Sequence, residues 1–385
     1  MIPRLLGAAV VAAALAALLA GSAPAVRAQA AQGQPAPDAA KPPGEWPPDA
    51  DTLTRRRLEA EALPLFAAQE PIEVTLTADW RTVQRDRNAE SRKTYPGTLA
   101  IGEAGAGGAS IPIQLRTRGH SRRNPRVCDF APLRLELPKD RTRGTVFEGH
   151  GTVKLGVHCG GDGLYLQYLL KEYLANRLHQ VLTPRSLRVR LAKVTYADTS
   201  AGKKPFTKLG LFFEEPDDLA KRMEARVLAV PRQGLNLVDQ AQVLFMSLFQ
   251  YMIGNTDYSI LALRNIIMLD DAKGVRYTVP YDFDCSGLVN AHYAVPDRRL
   301  GIVSVRDRLY RGPCKTEAEV QEALKPFREK QADLLALPAS LTALGLEERH
   351  RKDAEKYLKE FFELIARPDK VKQTFVTDCK PAAFM

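Results

Sequence analysis

The residues best suited to chemistry are carboxylates in the second half of the chain, in loops between apolar segments. Asp257 follows Gly-Asn-Thr, the segment Pro-Tyr-Asp-Phe-Asp supplies Asp282 and Asp284, and Asn265 lies between them. Carboxylate and amide oxygens suit Mg²⁺, whose remaining positions substrate phosphates fill. We therefore expect Asp282, Asp284 and Asn265 to hold Mg²⁺ or Mn²⁺. Asp257 would accept a proton from, or orient, an attacking hydroxyl.

For any one of these residues a structural role stays open, because loop Asp and Asn side chains often satisfy backbone groups or cap turns. Their combined order says more. An apolar helix, Asp then Asn, a hairpin and Asp-Phe-Asp follow one another as in the catalytic loop and metal motif of protein kinases. Asn265 lies eight residues after Asp257, farther than the kinase pattern allows, so a loop insertion is expected. Asp-Phe-Asp replaces Asp-Phe-Gly, so Asp284 is either a second metal ligand or a cap.

A nucleotide site also needs cations for the phosphates. Lys154, on a predicted strand directly before a helix, is the first candidate. Glu172 on that helix is its expected ion-pair partner, by analogy with the strand lysine and helix glutamate of protein kinases. Arg134 on the preceding strand competes with Lys154 for this role. Glu172 falls opposite the leucine stripe of its helix, so a solvated position is equally open to it.

A second basic segment surrounds the turn Arg118-Gly-His-Ser121 and contains Arg116, Arg118, Arg122, Arg123 and Arg126. Its backbone amides and guanidinium groups could cradle phosphates, which makes Arg118 and Ser121 candidate nucleotide ligands. A solvated basic hairpin is the alternative. A third basic cluster follows Asp284 and either binds an anionic substrate or solvates the surface: Arg298, Arg299, Arg306, Arg308 and Arg311.

Alternating apolar residues predict strands in the first half of the chain, and we expect these strands to form an antiparallel sheet. The segments are 72–77, 98–101, 111–116, 133–137, 152–157, 186–196 and 209–213, with a glycine-rich turn over 102–108. A helix over 164–180 interrupts them. The second half is predicted to be helical over 239–254 and near 318–335 and 346–366.

The composition is that of an ordinary folded protein, with 385 residues, 45% hydrophobic and 26% charged. A net charge of +10 favours anionic partners without selecting among them. The sequence has no histidine pair at metal-hydrolase spacing and no GxSxG, which argues against both classes of hydrolase. Nucleic-acid binding is not expected, because the arginines are not interleaved with aromatics in a recognisable module.

The amino terminus has the pattern of an export signal, with Arg4 before an apolar run and small residues ending at Ala28. We expect residues 1–28 to be removed, leaving no membrane span, although residues 5–26 are also long enough for an uncleaved anchor. Residues 29–50 predict a flexible linker. The protein would then be exported, to the periplasm or beyond the cell.

An oxidising compartment makes disulfides the default for the five cysteines. Their wide spacing, with no CxxC pair, gives little support to a zinc site. We expect Cys128 to pair with Cys159 and Cys314 with Cys379, which leaves Cys285 over. Spacing alone does not fix this connectivity.

The chain resembles the spore-coat CotH family of atypical secreted kinases, in short islands over about residues 71–315. The islands are Arg118-Gly-His-Ser, Gly254-Asn-Thr-Asp257 and Pro280-Tyr-Asp282-Phe-Asp284. Longer stretches are similar to a group of exported bacterial proteins. The resemblance implies ATP and a divalent cation, with Asp257 as the catalytic-loop aspartate and Asp282 as the principal metal ligand.

The resemblance also implies an α+β, two-lobed protein-kinase-like fold. We expect an antiparallel β-rich lobe with one helix over residues 51–215 and a mainly helical lobe with the catalytic loop over 216–385. The predicted function is transfer of the γ-phosphoryl group of ATP to a hydroxyl of a protein or envelope component. The alternative is a catalytically inactive, kinase-like secreted module that binds an anionic polymer or a partner protein.

Overall fold

The computed structural model describes residues 46–102, 110–161, 163–199, 203–229 and 237–380, all within one compact unit. The predicted signal segment, most of the predicted linker and most of the glycine-rich turn over 102–108 lie outside the described residues.

Seven strands in the described part of the chain close into a barrel. They are β1 (Ile72–Ala78), β2 (Tyr95–Ile101), β3 (Ser110–Thr117), β4 (Leu133–Glu136), β5 (Thr152–Gly156), β6 (Val189–Asp198) and β7 (Phe206–Phe213). Neighbours pair antiparallel in the order β1-β2-β3-β4-β5-β7-β6, and a parallel pairing of β6 with β1 closes the ring. Alternate side chains such as Val74 and Leu76 are buried, so the interior is a packed core.

The other described elements are helices and a small sheet. The helices are α1 (Ala50–Glu61), α2 (Trp80–Arg85), α3 (Gly163–Leu182), α4 (Pro216–Arg222), α5 (Gln240–Ile253), α6 (Glu317–Glu329), α7 (Gln331–Ser340), α8 (Glu348–Ile365) and α9 (Pro368–Lys372). A small antiparallel sheet has the order β10-β9-β8, formed by β8 (Ala225–Leu228), β9 (Ile266–Asp271) and β10 (Arg276–Pro280).

Helix α3 lies between the barrel and the carboxy-terminal helices. Leu191 and Leu211 on β6 and β7 share one apolar cluster with Leu170 and Leu174 of α3 and with residues of α5 to α8. Because neighbours cover it on most sides, α3 buries polar residues as well, including Glu172 at 5% exposure. Barrel and helices therefore share a continuous core.

The expected two-lobed kinase-like fold is wrong. The amino-terminal strands form a closed, mixed barrel and not an antiparallel sheet, because β1 pairs with β6 in parallel. The carboxy-terminal half also contains a three-stranded sheet, which contributes β9 and β10 on either side of an Asp-rich turn. Local strand patterns do not encode which distant strand completes a ring, and the prediction failed at that step.

The expected disulfide pairing is confirmed: Cys128 joins Cys159 and Cys314 joins Cys379. Cys285 is a free thiol. The first bond ties the arginine-rich turn after β3 to the segment between β5 and α3. The second ties the segment before α6 to the residues after α9.

None of the helices in the described ranges is long and apolar enough to cross a membrane.

Candidate functional site

Two loops carry the predicted acidic residues, and the backbone joins them side by side. Helix α5 ends at Gly254, whose φ of 64° is left-handed, and β10 ends at Pro280. The Gly287 N–H donates to the Gly254 carbonyl at 3.0 Å, and the Leu288 N–H donates to that of Ile253 at 2.9 Å. The loop after α5 and the loop after β10 therefore have a fixed separation.

The side chain of Tyr357, on α8, lies against this junction. Its hydroxyl occupies the space that a Cβ atom would fill at either Gly254 or Gly287, so only glycine allows this approach. The guanidinium groups of Arg306 and Arg308 lie over the ring of Tyr357, with 4.1 and 3.7 Å to its centroid. We call these five residues the Tyr357 clamp. Arg306 and Arg308 thus brace the site, and neither forms part of an open anion-binding surface.

Asp257 and Asn265 come together despite the long spacing. Ser259 and Arg264 exchange backbone hydrogen bonds of 2.9 Å each, so the residues between them form a small closed loop. The Asn265 amide then donates to the Asp257 backbone carbonyl at 2.7 Å and to its carboxylate at 3.2 Å. Arg264 pairs with the other carboxylate oxygen of Asp257. The expected insertion is therefore a turn that returns Asn265 to Asp257.

The carboxylate of Asp284 is committed to an arginine. Its Oδ2 lies 2.6 Å from Nη2 of Arg122 and accepts from the Tyr293 hydroxyl at 3.2 Å. The same Nη2 lies 3.1 Å from Glu172 Oε2 and 3.8 Å from Asp282 Oδ1. Arg122 thus links three carboxylates contributed by two elements. Asp282 is the most accessible of the three, with 38% of its side chain exposed.

The pKa values follow from this crowding. Burial, followed by the negative charge of Asp284, raises the pKa of Asp282 to about 8. Burial also opposes ionisation of Asp284, but contact with Arg122 outweighs it and holds the pKa of Asp284 below its ordinary value. Burial raises the pKa of Asp257, against the attraction of Arg264, and Asp284 raises it further. At Asp282, burial and the charges of Asp284 and Glu172 together outweigh the attraction of Arg122 and Arg118.

Backbone strain marks the same residues. Asp282 and Asn265 have φ angles of 62° and 52°, in the left-handed region that side chains other than glycine seldom adopt. Asp and Asn tolerate this region better than most residues, at a cost of about 1 kcal/mol. Such outliers cluster at functional sites.

Lys154 is paired, although not with Glu172. Its ammonium lies 3.1 Å from Glu215 Oε2, and Arg134 approaches the same oxygen at 3.8 Å. Strand pairing explains this: β5 lies beside β7, with Lys154 opposite Phe213, so the chain leaving β7 brings Glu215 close. The expected Lys154–Glu172 pair is replaced by two separate pairs, Lys154–Glu215 and Arg122–Glu172. Burial lowers the pKa of Lys154.

Arg118 lies near two acidic residues, Asp282 and Glu215. It feels the negative charges of Asp282 and Glu215, yet it forms no ion pair within 4.0 Å with either residue. Burial lowers its pKa. A guanidinium so placed has donors to offer to an anion.

Ser121 opens the 3₁₀ turn Ser121–Arg123 and is exposed. Arg123 anchors this turn, because it is 4% exposed and its guanidinium group donates to the carbonyls of Thr117 and Asn88. Ser121 therefore lies on a rigid turn, but its hydroxyl makes no contact with the carboxylates that Arg122 links. Its role as a phosphate ligand stays a prediction.

Sequence reasoning missed the partners that organise the site. Arg122 was placed only among neighbouring arginines, and Glu215 and Arg264 received no role. For Glu215 a signal existed, because it follows a predicted strand directly and strand ends are where polar groups converge. No local pattern marks Arg122 as the partner of Glu172.

A metal ion bound by protein ligands alone is not supported in the described ranges, where no three His, Cys, Asp or Glu side chains are grouped to hold one. The free thiol of Cys285 lies beside these carboxylates, and burial raises its pKa well above the ordinary value. It is therefore a poor nucleophile.

No protein-family model and no curated protein matches this chain.

Proposed function

We propose that the protein is an exported phosphotransferase that moves the γ-phosphoryl group of ATP to a hydroxyl of a protein or envelope component. The observation that carries this proposal is the meeting of Asp257, Asp282 and Asp284 beside Arg118, which forms an ion pair with neither Asp282 nor Glu215. The resemblance of the loop motifs to the CotH family supports it. Export is supported by the two disulfides, since oxidising compartments favour them.

The cations of the site suit a polyphosphate. Arg118 interacts with the charge of Asp282 and lies near Lys154, and guanidinium and ammonium groups are the usual phosphate ligands. Glu215 holds Lys154 in place and keeps a second oxygen, Oε1, buried with no hydrogen-bond partner among the described residues. An orphan acceptor is costly unless a ligand hydroxyl or amine donates to it. This favours a bound nucleotide.

The donor set also fits Mg²⁺ when phosphate oxygens complete the shell. Magnesium needs only one or two carboxylates in such sites, which agrees with the absence of a three-ligand group in the described residues. Asp282 and Asn265 are the residues that would hold it, whereas Asp284 is occupied by Arg122. When bound, the ion would neutralise phosphate charge.

Asp257 is the candidate general base. Its pKa is raised by burial and by Asp284, and Asn265 and Arg264 orient its carboxylate. The acceptor oxygen would form a new bond to the γ-phosphorus as the bond to the β-phosphate oxygen breaks. The hydroxyl proton would pass to Asp257, and ADP would leave.

The test uses the purified protein with ATP and Mg²⁺ or Mn²⁺, beside Asp257→Asn, Asp282→Asn and the control Asp333→Asn, an exposed position on α7. We expect the wild type and the control to show phosphate transfer and a nucleotide-dependent rise in melting temperature. Asp282→Asn should lose both. Asp257→Asn should keep the thermal shift and lose about 100-fold or more in transfer rate.

Identical melting shifts in all four proteins, with no transfer, would rule the proposal out. Thermal stabilisation by an anionic polymer, equal in wild type and Asp282→Asn, would favour the inactive binding module.

A further inference from the structure

Arg311 lies in the segment before α6 and reaches back to the loop that carries Asp257. Its Nη1 donates to the carbonyls of Thr256 at 2.6 Å and of Tyr258 at 2.8 Å, the residues on either side of Asp257. The two anchors therefore hold the backbone on both sides of this aspartate, at the peptide group that precedes it and at the one that follows Tyr258.

The aromatic ring of Tyr258 completes the arrangement. The guanidinium carbon of Arg311 lies 4.9 Å from the ring centroid, and the Tyr258 hydroxyl donates to the Arg311 carbonyl at 3.3 Å. Tyr258 is 3% exposed, so this pairing is part of a buried contact. A planar group that stacks on a ring and holds its donors in a fixed fork is a property of arginine that lysine lacks.

Arg311 differs from Arg264 and Asn265 in the part of the loop that it contacts. Arg264 and Asn265 contact the carboxylate itself, and Arg264 is 46% exposed. The Arg311 hydrogen bonds described above go to the neighbouring backbone, and its positive charge also favours the ionised form of Asp257. The hydrogen bonds act on Asp257 through the loop that carries it.

We propose that Arg311 is a positioning residue for Asp257, an inference that rests on the proposed phosphotransferase function. A base must lie within hydrogen-bond reach of its proton, and a displacement of about 1 Å costs about 100-fold in rate. Loss of Arg311 therefore lowers kcat. It leaves the KM for ATP unchanged, because Lys154, Arg118 and Asp282 lie in other segments.

The experiment compares Arg311→Met and Arg311→Lys with Arg328→Met. Arg328 also donates to a backbone carbonyl, that of Ile365 at 3.1 Å, but it lies on α6 and contacts the end of α8, not the acidic loops. All variants are assayed below their own melting temperatures. We expect kcat to fall about 10- to 100-fold in Arg311→Met, with partial recovery in Arg311→Lys and no change in Arg328→Met.

The outcomes separate the two claims. A wild type that transfers no phosphate overturns the function and this inference together. An active wild type with an unchanged kcat in Arg311→Met overturns only the role of Arg311. The inference also fails if Arg328→Met loses as much kcat, or if the loss in Arg311→Met lies in the KM for ATP, because either result means a general structural effect.

Discussion

Lys171 is the buried lysine of α3, with 2% of its side chain exposed. Its ammonium is 4.0 Å from Asp353, which already has a closer partner in Arg306 at 3.0 Å. Burial lowers the pKa of Lys171 from 10.5 to about 8. Removing this charge from water therefore destabilises the folded state by more than the ion pair with Asp353 stabilises it.

We expect Lys171→Met to raise the free energy of unfolding at pH 7 by up to about 3 kcal/mol, which is the free energy equivalent to the shift in the Lys171 pKa. The sign follows from proton binding: between pH 8 and 10.5 the unfolded state holds the proton that the folded state has lost. Wild-type stability therefore rises with pH over that window, and the advantage of the variant shrinks.

Denaturant unfolding at pH 7 and at pH 10 measures both effects, with Lys356→Met, at an exposed position on α8, as the control. A variant that is less stable than wild type at pH 7 would mean that the Asp353 contact outweighs the cost of burial.

At the same scale, residue types were predictable and partners were not. Asp257, Asp282 and Asn265 could be selected from the sequence, because Asp and Asn residues between apolar segments are recognisable there as loop residues. The partner of Lys154 depended on β5 lying beside β7, which no local pattern encodes. For Glu172 the sequence left open both an exposed position and an ion pair. Helical periodicity does not reveal that other elements cover α3 on several sides.

Among the elements, the Tyr357 clamp sets the distance between the two acidic loops. A Cβ at Gly287 would lie 2.5 Å from the Val305 carbonyl oxygen and overlap the Tyr357 hydroxyl. We expect Gly287→Ala to cost about 1–3 kcal/mol of stability, as overpacking does, and to weaken nucleotide-dependent stabilisation. Thermal melting with and without ATP measures both.

Gly163→Ala is the matched control, because an added Cβ there meets nothing within 4 Å. It should be neutral or slightly stabilising at the start of α3. Adding Tyr357→Phe to Gly287→Ala should recover part of the loss. No recovery at all would show that the Val305 contact, and not the hydroxyl, causes the damage.

Element positions were largely predictable, since strands such as β1 and helices such as α5 follow clear apolar periodicity. The short β8, the edge strand of the small sheet that follows α4, was missed because four residues carry little pattern. The closure of the barrel was missed for a different reason. It depends on a parallel pair of strands far apart in the chain, and such pairing is a property of the tertiary structure.

For the whole molecule, the disulfides are the covalent restraints. Their sequence separations are 31 and 65 residues, for which loop-closure entropy gives a stabilisation of about 4 kcal/mol each. We expect Cys314→Ser with Cys379→Ser to lower the melting temperature while leaving the proposed ATP binding intact.

Cys128→Ser with Cys159→Ser should lower the melting temperature as well and also weaken ATP binding, because that bond fixes the turn that carries Arg118 and Arg122. Calorimetry for stability and nucleotide titration for affinity distinguish the two pairs. Equal losses of affinity in both double variants would contradict this division.

The parallel pairing of β1 with β6 has a consequence for the order of folding. Glu73 of β1 and its partner Lys193 of β6 are 120 residues apart in sequence. During synthesis β1 can pair early with β2, but its second edge has no partner until β6 and α3 have followed. That edge is a template for pairing with another chain in the meantime. Ring closure is therefore a late and slow event, during which aggregation competes with correct assembly.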